Sequence, residues 1–220
     1  MLGKALPFTG EHTMAETFNL FEIMRTTRSM RRLKTDPVPA SLLRQVLEAG
    51  TLAANGGNMQ SWRFLVIEDP AIKAAAGAFY RKAWDEVVGP RYRAGGPAPG
   101  TTPESFARML NAAEHLAHHF HEAPVWIVPC LSGPRGSGAS VFPAVQNMLL
   151  AARALGLGAT LTTLYLIHEK EAEAAMGLPA DMHSYAILPV GFPNGKFGPV
   201  RRTALENVVY QDKWGTAYKA

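Results

Sequence analysis

From ASLLRQVLEAGTLAA onward, helix-period and strand-period segments alternate with no linker between them, and this limits the fold more than any other feature. In that first segment Leu42, Leu43, Val46, Leu47 and Leu52 recur at helical spacing, with Ser41 as candidate N-cap. SWRFLVIED alternates as a strand until Pro70 stops it, and AIKAAAGAFYRKAWDEVV reads as a helix. GPRYRAGGPAPGTTP holds so much Gly and Pro that it reads as a long mobile loop. SFARMLNAAEHLAHHFHEA is helical, PVWIVPCL a buried strand, and VFPAVQNMLLAARALGLG a largely apolar helix with a Gly-rich end. ATLTTLYL reads as a strand, EKEAEAAMGL as a short helix and HSYAILPVGFP as a strand. A short helix in ETFNLFEIMRTTR precedes them all and loses order near Pro37 and Pro39. With no internal repeat, the alternation predicts one α/β or α+β domain.

The totals agree with that reading. A chain of 220 residues, 47% apolar and 18% charged, has enough surface to bury a real core. Its net charge of +4 suits a small anionic ligand at least as well as a polymer. A single cysteine, Cys130, excludes an internal disulfide and fits a reducing cytoplasm. No apolar run reaches membrane-span length, and no secretion signal is seen. MLGKALPFTGEHT carries no apolar periodicity, so residues 1–17 are expected to form a disordered extension, with Met14 an alternative start.

Three polar islands stand out. RTTRSMRRLKTDPVP crowds Arg25, Arg28, Arg31, Arg32 and Lys34 around the single acid Asp36, the pattern of a solvated face or of an anion site. In NGGNMQSW, Gly56 and Gly57 let the backbone approach a ligand while Asn55, Asn58 and Gln60 offer amides, which suit the mixed edge of a heterocycle. Arg201 and Arg202 follow a strand and turn, well placed to neutralise a phosphate. Other patterns carry less. His115, His118, His119 and His121 share one helix but lack the acid of a familiar metal motif, so no metal is expected. SGPRGSGAS lacks the Lys-Ser/Thr pair of a phosphate loop, and no nucleophile elbow is present. Cys130 in an apolar strand reads as inert packing.

In their order along the chain these segments resemble the nitroreductase family of flavin enzymes. R-S-M-R-R-L-K-T-D-P-V-P at 28–39 is similar to that family's R-S-x-R…P-V-P signature, and NGGNMQSWRFLVIED to its P-S-G-x-N-x-Q-P-W-x-F segment. FPAVQNMLLAARALGLGATLTT is similar to its A-x-Q-N-L-L-L-A-A…L-G-L-G helix and strand, and VGFPNGKFGPVRRTALENVVY to its G-Y-P…R terminus. The resemblance implies an α+β, three-layer sandwich: a central mixed, mostly antiparallel sheet flanked by helices, in an intertwined homodimer with FMN at its interface. It implies a single domain over 18–220, with about 80–110 covering the substrate and about 203–220 extending toward the partner subunit. The ribityl phosphate of FMN falls to Arg28, Ser29, Arg31 or Arg32, and Arg202, with Arg201 as the alternative; Met30 lies within the same motif. Asn58 matches an asparagine near the flavin ring, with Asn55 and Gln60 in the same loop. Thr162, Thr163 and Leu164 align with backbone that approaches flavin N5. Asn55 stands where Ser is usual, and Ser61 where Pro is usual.

The implied chemistry is ping-pong: NAD(P)H reduces FMN, and an electron-poor small molecule such as a nitroaromatic or quinone takes the electrons. Tyr80, Trp84, Tyr92 and Arg93 stand either as substrate contacts or as anchors of the covering segment. A dehalogenase, an ene-reductase or a flavin-fragmenting enzyme is the alternative on the same fold, as is a non-catalytic FMN-binding protein. No nucleic-acid or membrane partner is expected, since the basic cluster lacks interleaved aromatics.

Overall fold

A computed structural model describes residues 19–98 and 100–218, so the extension expected at 1–17 lies outside the described residues. The fold grows from its central strand. Val125–Ser132 (β2) is an unbroken apolar run that is buried from Val125 through Cys130. Because successive strand residues face opposite ways, such a run needs a core on each side. Trp126, Val128 and Cys130 enter one core, whereas Val125 and Ile127 enter the other.

Strand β1 (Trp62–Ile67) lies antiparallel on one edge of β2, with Trp62 opposite Leu131 and Ile67 opposite Trp126. Gly158–Ala159 (β3), Met182–Ser184 (β4) and Leu188–Gly191 (β5) complete the sheet in the order β1-β2-β5-β3, with β4 pairing the far end of β2. All of these pairings are antiparallel.

The helices are Leu20–Thr26 (α1), Ala40–Thr51 (α2), Pro70–Ala83 (α3), Gly89–Gly95 (α4), Pro103–His119 (α5), Phe142–Ala154 (α6) and Glu169–Ala175 (α7). On one face α2 packs against α6 around Val46, Met148, Leu157 and Leu188. Gly50 permits that approach, because a Cβ there would meet Met148 Cγ at 2.9 Å. On the other face α3 packs against α7, with Tyr80, Phe120 and Trp126 stacked at centroid distances of 4.2 and 4.3 Å. Helices cover both faces of one sheet, which is the three-layer α+β arrangement. Among the described residues no helix is long and apolar enough to cross a membrane.

Several local expectations change. Helix α2 starts at Ala40 with Pro39 in the cap position and no side-chain cap bond, so Ser41 is inside the helix. The Gly- and Pro-rich stretch opens as a helix: a π-helical turn at Trp84–Val88 runs straight into α4, which carries Pro90 near its start. ATLTTLYL is barely a strand. Only Ala159 belongs to β3, Thr162 makes one isolated bridge to Ile187, and Leu164–His168 winds into a 3-10 turn. HSYAILPVGFP splits into β4 and β5, which pair with different parts of β2.

Candidate functional site

Backbone hydrogen bonds explain how residues from both ends of the chain meet. After α1 the chain is extended, and Met30 N donates to Ala159 O at 3.0 Å on β3. Lys34 N donates to Phe192 O at 2.7 Å, and Leu33 bridges Pro193, just past β5. The chain that follows β5 then returns, and Val200 N donates to Arg25 O at 2.9 Å. Arg25 thus contributes its carbonyl. This stitching brings Arg28 and Ser29 alongside Arg202 at a cleft of about 230 Å³.

The cleft is basic. Arg28, Arg153 and Arg202 line it, with Thr27, Ser29 and Thr160 beside them and no acid in the lining. Arg153 lies at the C-terminal end of α6; its Nε donates to Thr26 Oγ1 at 3.0 Å and its guanidinium lies 4.2 Å over the Phe197 ring. It is the residue that reading the sequence missed. The available signal was its standing as the single charge in the otherwise uncharged α6. Three guanidiniums and several hydroxyls around one concavity are the kind of donor set that a phosphate-like dianion would take.

Thr160 also lines a second cleft of about 150 Å³, so the two share a wall. This one is aromatic, with Tyr80, Trp84, Tyr92 and Met109 around Thr162, Thr163 and Leu164. Arg31, one of the two alternatives for the phosphate, lines this cleft and not the basic one. The reason is strand geometry: neighbouring side chains on extended backbone face opposite ways. Arg31 turns to the aromatic cleft, while Arg32 Nη2 donates to Asn111 Oδ1 on α5 at 2.6 Å. Tyr80 is 3% exposed and its hydroxyl shares a 2.9 Å hydrogen bond with Thr162 Oγ1. Burial pushes its pKa up to about 12, outweighing the Thr162 bond and the Arg31 charge. Trp84 is equally buried, and its indole N–H finds no acceptor among the described residues.

The other expected residues lie as follows. Arg93 lines neither cleft and pairs with Glu114 at 2.5 Å, tying α4 to α5. Arg201 is exposed and gives its carbonyl to Arg202 Nη1 at 2.9 Å. Met30 is buried, holding its segment against Gly158. Asn55, Asn58 and Gln60 line neither of these clefts. Asn55 Oδ1 accepts from Gln60 N at 2.9 Å, so this amide closes its own loop. Asn58 and Gln60 sit at φ of 53° and 48°, left-handed backbone stabilised within a tight and exposed turn. Cys130 is buried, and burial raises its thiol pKa to about 12, which leaves it no nucleophilic role.

Comparison with known proteins agrees with this fold. The family model described as "Nitroreductase family" matches residues 24–192, from the end of α1 to just past β5. A protein named NADH dehydrogenase from Thermus thermophilus is 30% identical over 200 residues, covering 83% of this chain and 90% of that one. A 5,6-dimethylbenzimidazole synthase from Rhodobacter capsulatus is 26% identical over 188 residues, covering 79% and 83%. The crystal structure of an oxidized iodotyrosine deiodinase bound to FMN and 3-iodo-L-tyrosine superposes with a TM-score of 0.70 at 24% identity, covering 89% of this chain and 99% of that one. With the family model spanning the sheet, both helical layers and the first arginine motif, the chain belongs to the nitroreductase family.

Proposed function

We propose that this protein is an FMN-dependent oxidoreductase that takes hydride from NAD(P)H and passes it to an electron-poor small molecule. The observation that carries the reading is the acid-free cleft where Arg28, Ser29, Arg153 and Arg202 meet from three distant parts of the chain. The residues present fit FMN: its phosphate dianion matches the guanidiniums, and the shared Thr160 wall leads from the phosphate end to the aromatic cleft. When bound, FMN supplies hydride acceptance and donation.

The chain's own residues bind and orient. Arg28 and Arg202 hold the phosphate with charge-assisted hydrogen bonds, and Ser29 adds a hydroxyl donor. Tyr80 fixes Thr162 through their buried hydrogen bond, which sets the backbone leading to Thr163 and Leu164. Arg31 places a fixed positive charge at the aromatic cleft, where it stabilises negative charge that develops during reduction. Trp84 and Tyr92, with ring centroids 6.2 Å apart, give that cleft flat apolar walls suited to an aromatic acceptor.

A second copy of the chain completes the site in this reading. At about 230 Å³ the basic cleft is smaller than the roughly 300–1,000 Å³ usual for such ligands. Beside it α1 exposes Leu20, Phe21 and Met24, and elsewhere the amide loop exposes Met59 at 78%. The segment after Arg202 exposes Trp214 at 89%, an apolar extension suited to a partner's surface. Asn55, Asn58 and Gln60 of the second copy would then add their amides to that of Gln146, which lines the cleft from α6. Light scattering should give the mass of a dimer, and a monomer with full flavin occupancy would oppose this part.

The activity is tested by adding NADH or NADPH anaerobically to the purified yellow protein. Bleaching of the flavin band, followed by recovery with a nitroaromatic or quinone, is expected. A yellow protein that neither nucleotide bleaches is a non-catalytic flavin binder. A protein that takes up no FMN overturns the reading.

A further inference from the structure

A second polar cluster lies where α7 meets β4, and the flavin chemistry uses none of it. Glu169 and Glu173 stand four apart on α7, so both face the same way. His183, on β4 opposite Leu131, completes the group, and one ligand atom from each of the three falls within 4.8 Å of the others. His183 Nδ1 is sealed from solvent and has no hydrogen-bond partner among the described residues. It lies 3.7 Å from Glu169 Oε1 and 3.9 Å from Glu173 Oε2.

Those separations are too long for hydrogen bonds but near those of atoms sharing one metal ion. With metal–ligand bonds of roughly 2.0–2.2 Å and tetrahedral angles, two ligands sit about 3.4 Å apart. We propose that Glu169, Glu173 and His183 form a site for one divalent transition-metal ion, of the borderline-soft class that accepts both imidazole and carboxylate, such as Zn2+.

The surroundings hold the ligands in place. Glu173 Oε1 accepts from Ser184 N at 2.6 Å and from Ser184 Oγ at 2.7 Å, which leaves Oε2 for the metal. Ser184 Oγ in turn accepts from the buried Tyr165 hydroxyl at 2.9 Å. Such outer contacts fix the direction of a ligating carboxylate. Arg135 Nη1 pairs with Glu169 Oε1 and donates to Ser184 O at 3.3 Å, so it offsets one of the two carboxylate charges and leaves Glu169 Oε2 as its unengaged oxygen among the described residues. The two carboxylates outnumber the one guanidinium paired with them, which favours a cation. Occupancy would tie α7 to the sheet beside the Leu164–His168 turn that follows the aromatic cleft.

The test uses purified full-length protein stripped by a chelator and titrated with Zn2+ by calorimetry, then with Co2+ followed by its visible absorption. One equivalent should bind, raise Tm and give the intense bands of low-coordinate Co2+. His183→Gln should weaken binding at least about tenfold. Glu173→Gln, whose amide oxygen can still accept from Ser184, should do the same without loss of fold. His119→Gln, on the separate histidine-rich stretch of α5, should leave binding unchanged. No saturable binding, or binding that His119→Gln abolishes and His183→Gln does not, overturns the site. In that case the three side chains form only an ion network with Arg135. None of these outcomes depends on flavin content.

Discussion

The two clefts share the Thr160 wall yet are built in opposite ways. The basic one is assembled from segments held at the sheet's margin by backbone bonds such as Val200 to Arg25, and its three arginines line an open cleft rather than a packed core. The aromatic one is an opening in the main core: Tyr80 and Trp84 are 3% and 1% exposed, and Tyr80 stacks on Phe120. Charge at a rim contributes to ligand binding but little to stability, whereas aromatic surface in a core contributes to both. Substitutions in the two places should therefore fail differently.

The largest expected effect is on the aromatic side. Trp84→Ala removes a fully buried ring and should cost about 3–5 kcal/mol of stability, seen as a large fall in Tm even without ligand. On the basic side, Arg202→Ala should leave the Tm of ligand-free protein unchanged. It should weaken FMN binding by about 1.5–3 kcal/mol, or about ten- to a hundredfold, in a fluorescence titration. A matching fall in ligand-free Tm would break the contrast.

Tyr80→Phe sits between these extremes. It leaves Thr162 Oγ1 without its partner in a buried place, at about 1–2 kcal/mol by chemical denaturation. It should also change the alkaline limb of the stability curve. An unfolded tyrosine ionises near pH 10, but folded Tyr80 holds its proton to about 12. Its contribution is therefore full below about pH 10 and is lost as pH rises toward 12. Burial shifts Tyr165 the same way, so Tyr80→Phe should flatten that loss without abolishing it. The smallest effect is expected for Arg93→Ala, whose pair with Glu114 is about half exposed and contributes under about 1 kcal/mol, with FMN binding unaffected.

The sequence reveals the scaffold better than the site. Strand β2 was legible because an apolar run of that length has no other stable place, and α6 because its apolar surface exceeds one stripe. Helix α4 was hidden because Gly89 and Pro90 read as breakers. The stretch after Ala159 read as a strand from its β-branched threonines, but the hydrogen bond from Thr162 to Tyr80 and the turn at Leu164–His168 depend on tertiary partners. Arg28, Ser29 and Arg202 were legible as motif residues. Arg31 and Arg32 were not separable, because adjacent positions in one basic run carry no mark of which face each will take. Glu169 and Glu173 are visibly one helical turn apart, but nothing in the chain's order says that His183 will lie across from them.

The central claim is that the basic cleft holds the phosphate of a flavin, and the visible absorbance spectrum of purified wild type beside Arg28→Ala tests it most directly. The account predicts a yellow wild type and a folded, nearly colourless variant, with equal far-UV circular dichroism. A wild type without flavin absorbance after incubation with FMN, or an Arg28→Ala protein with full flavin occupancy, would contradict it.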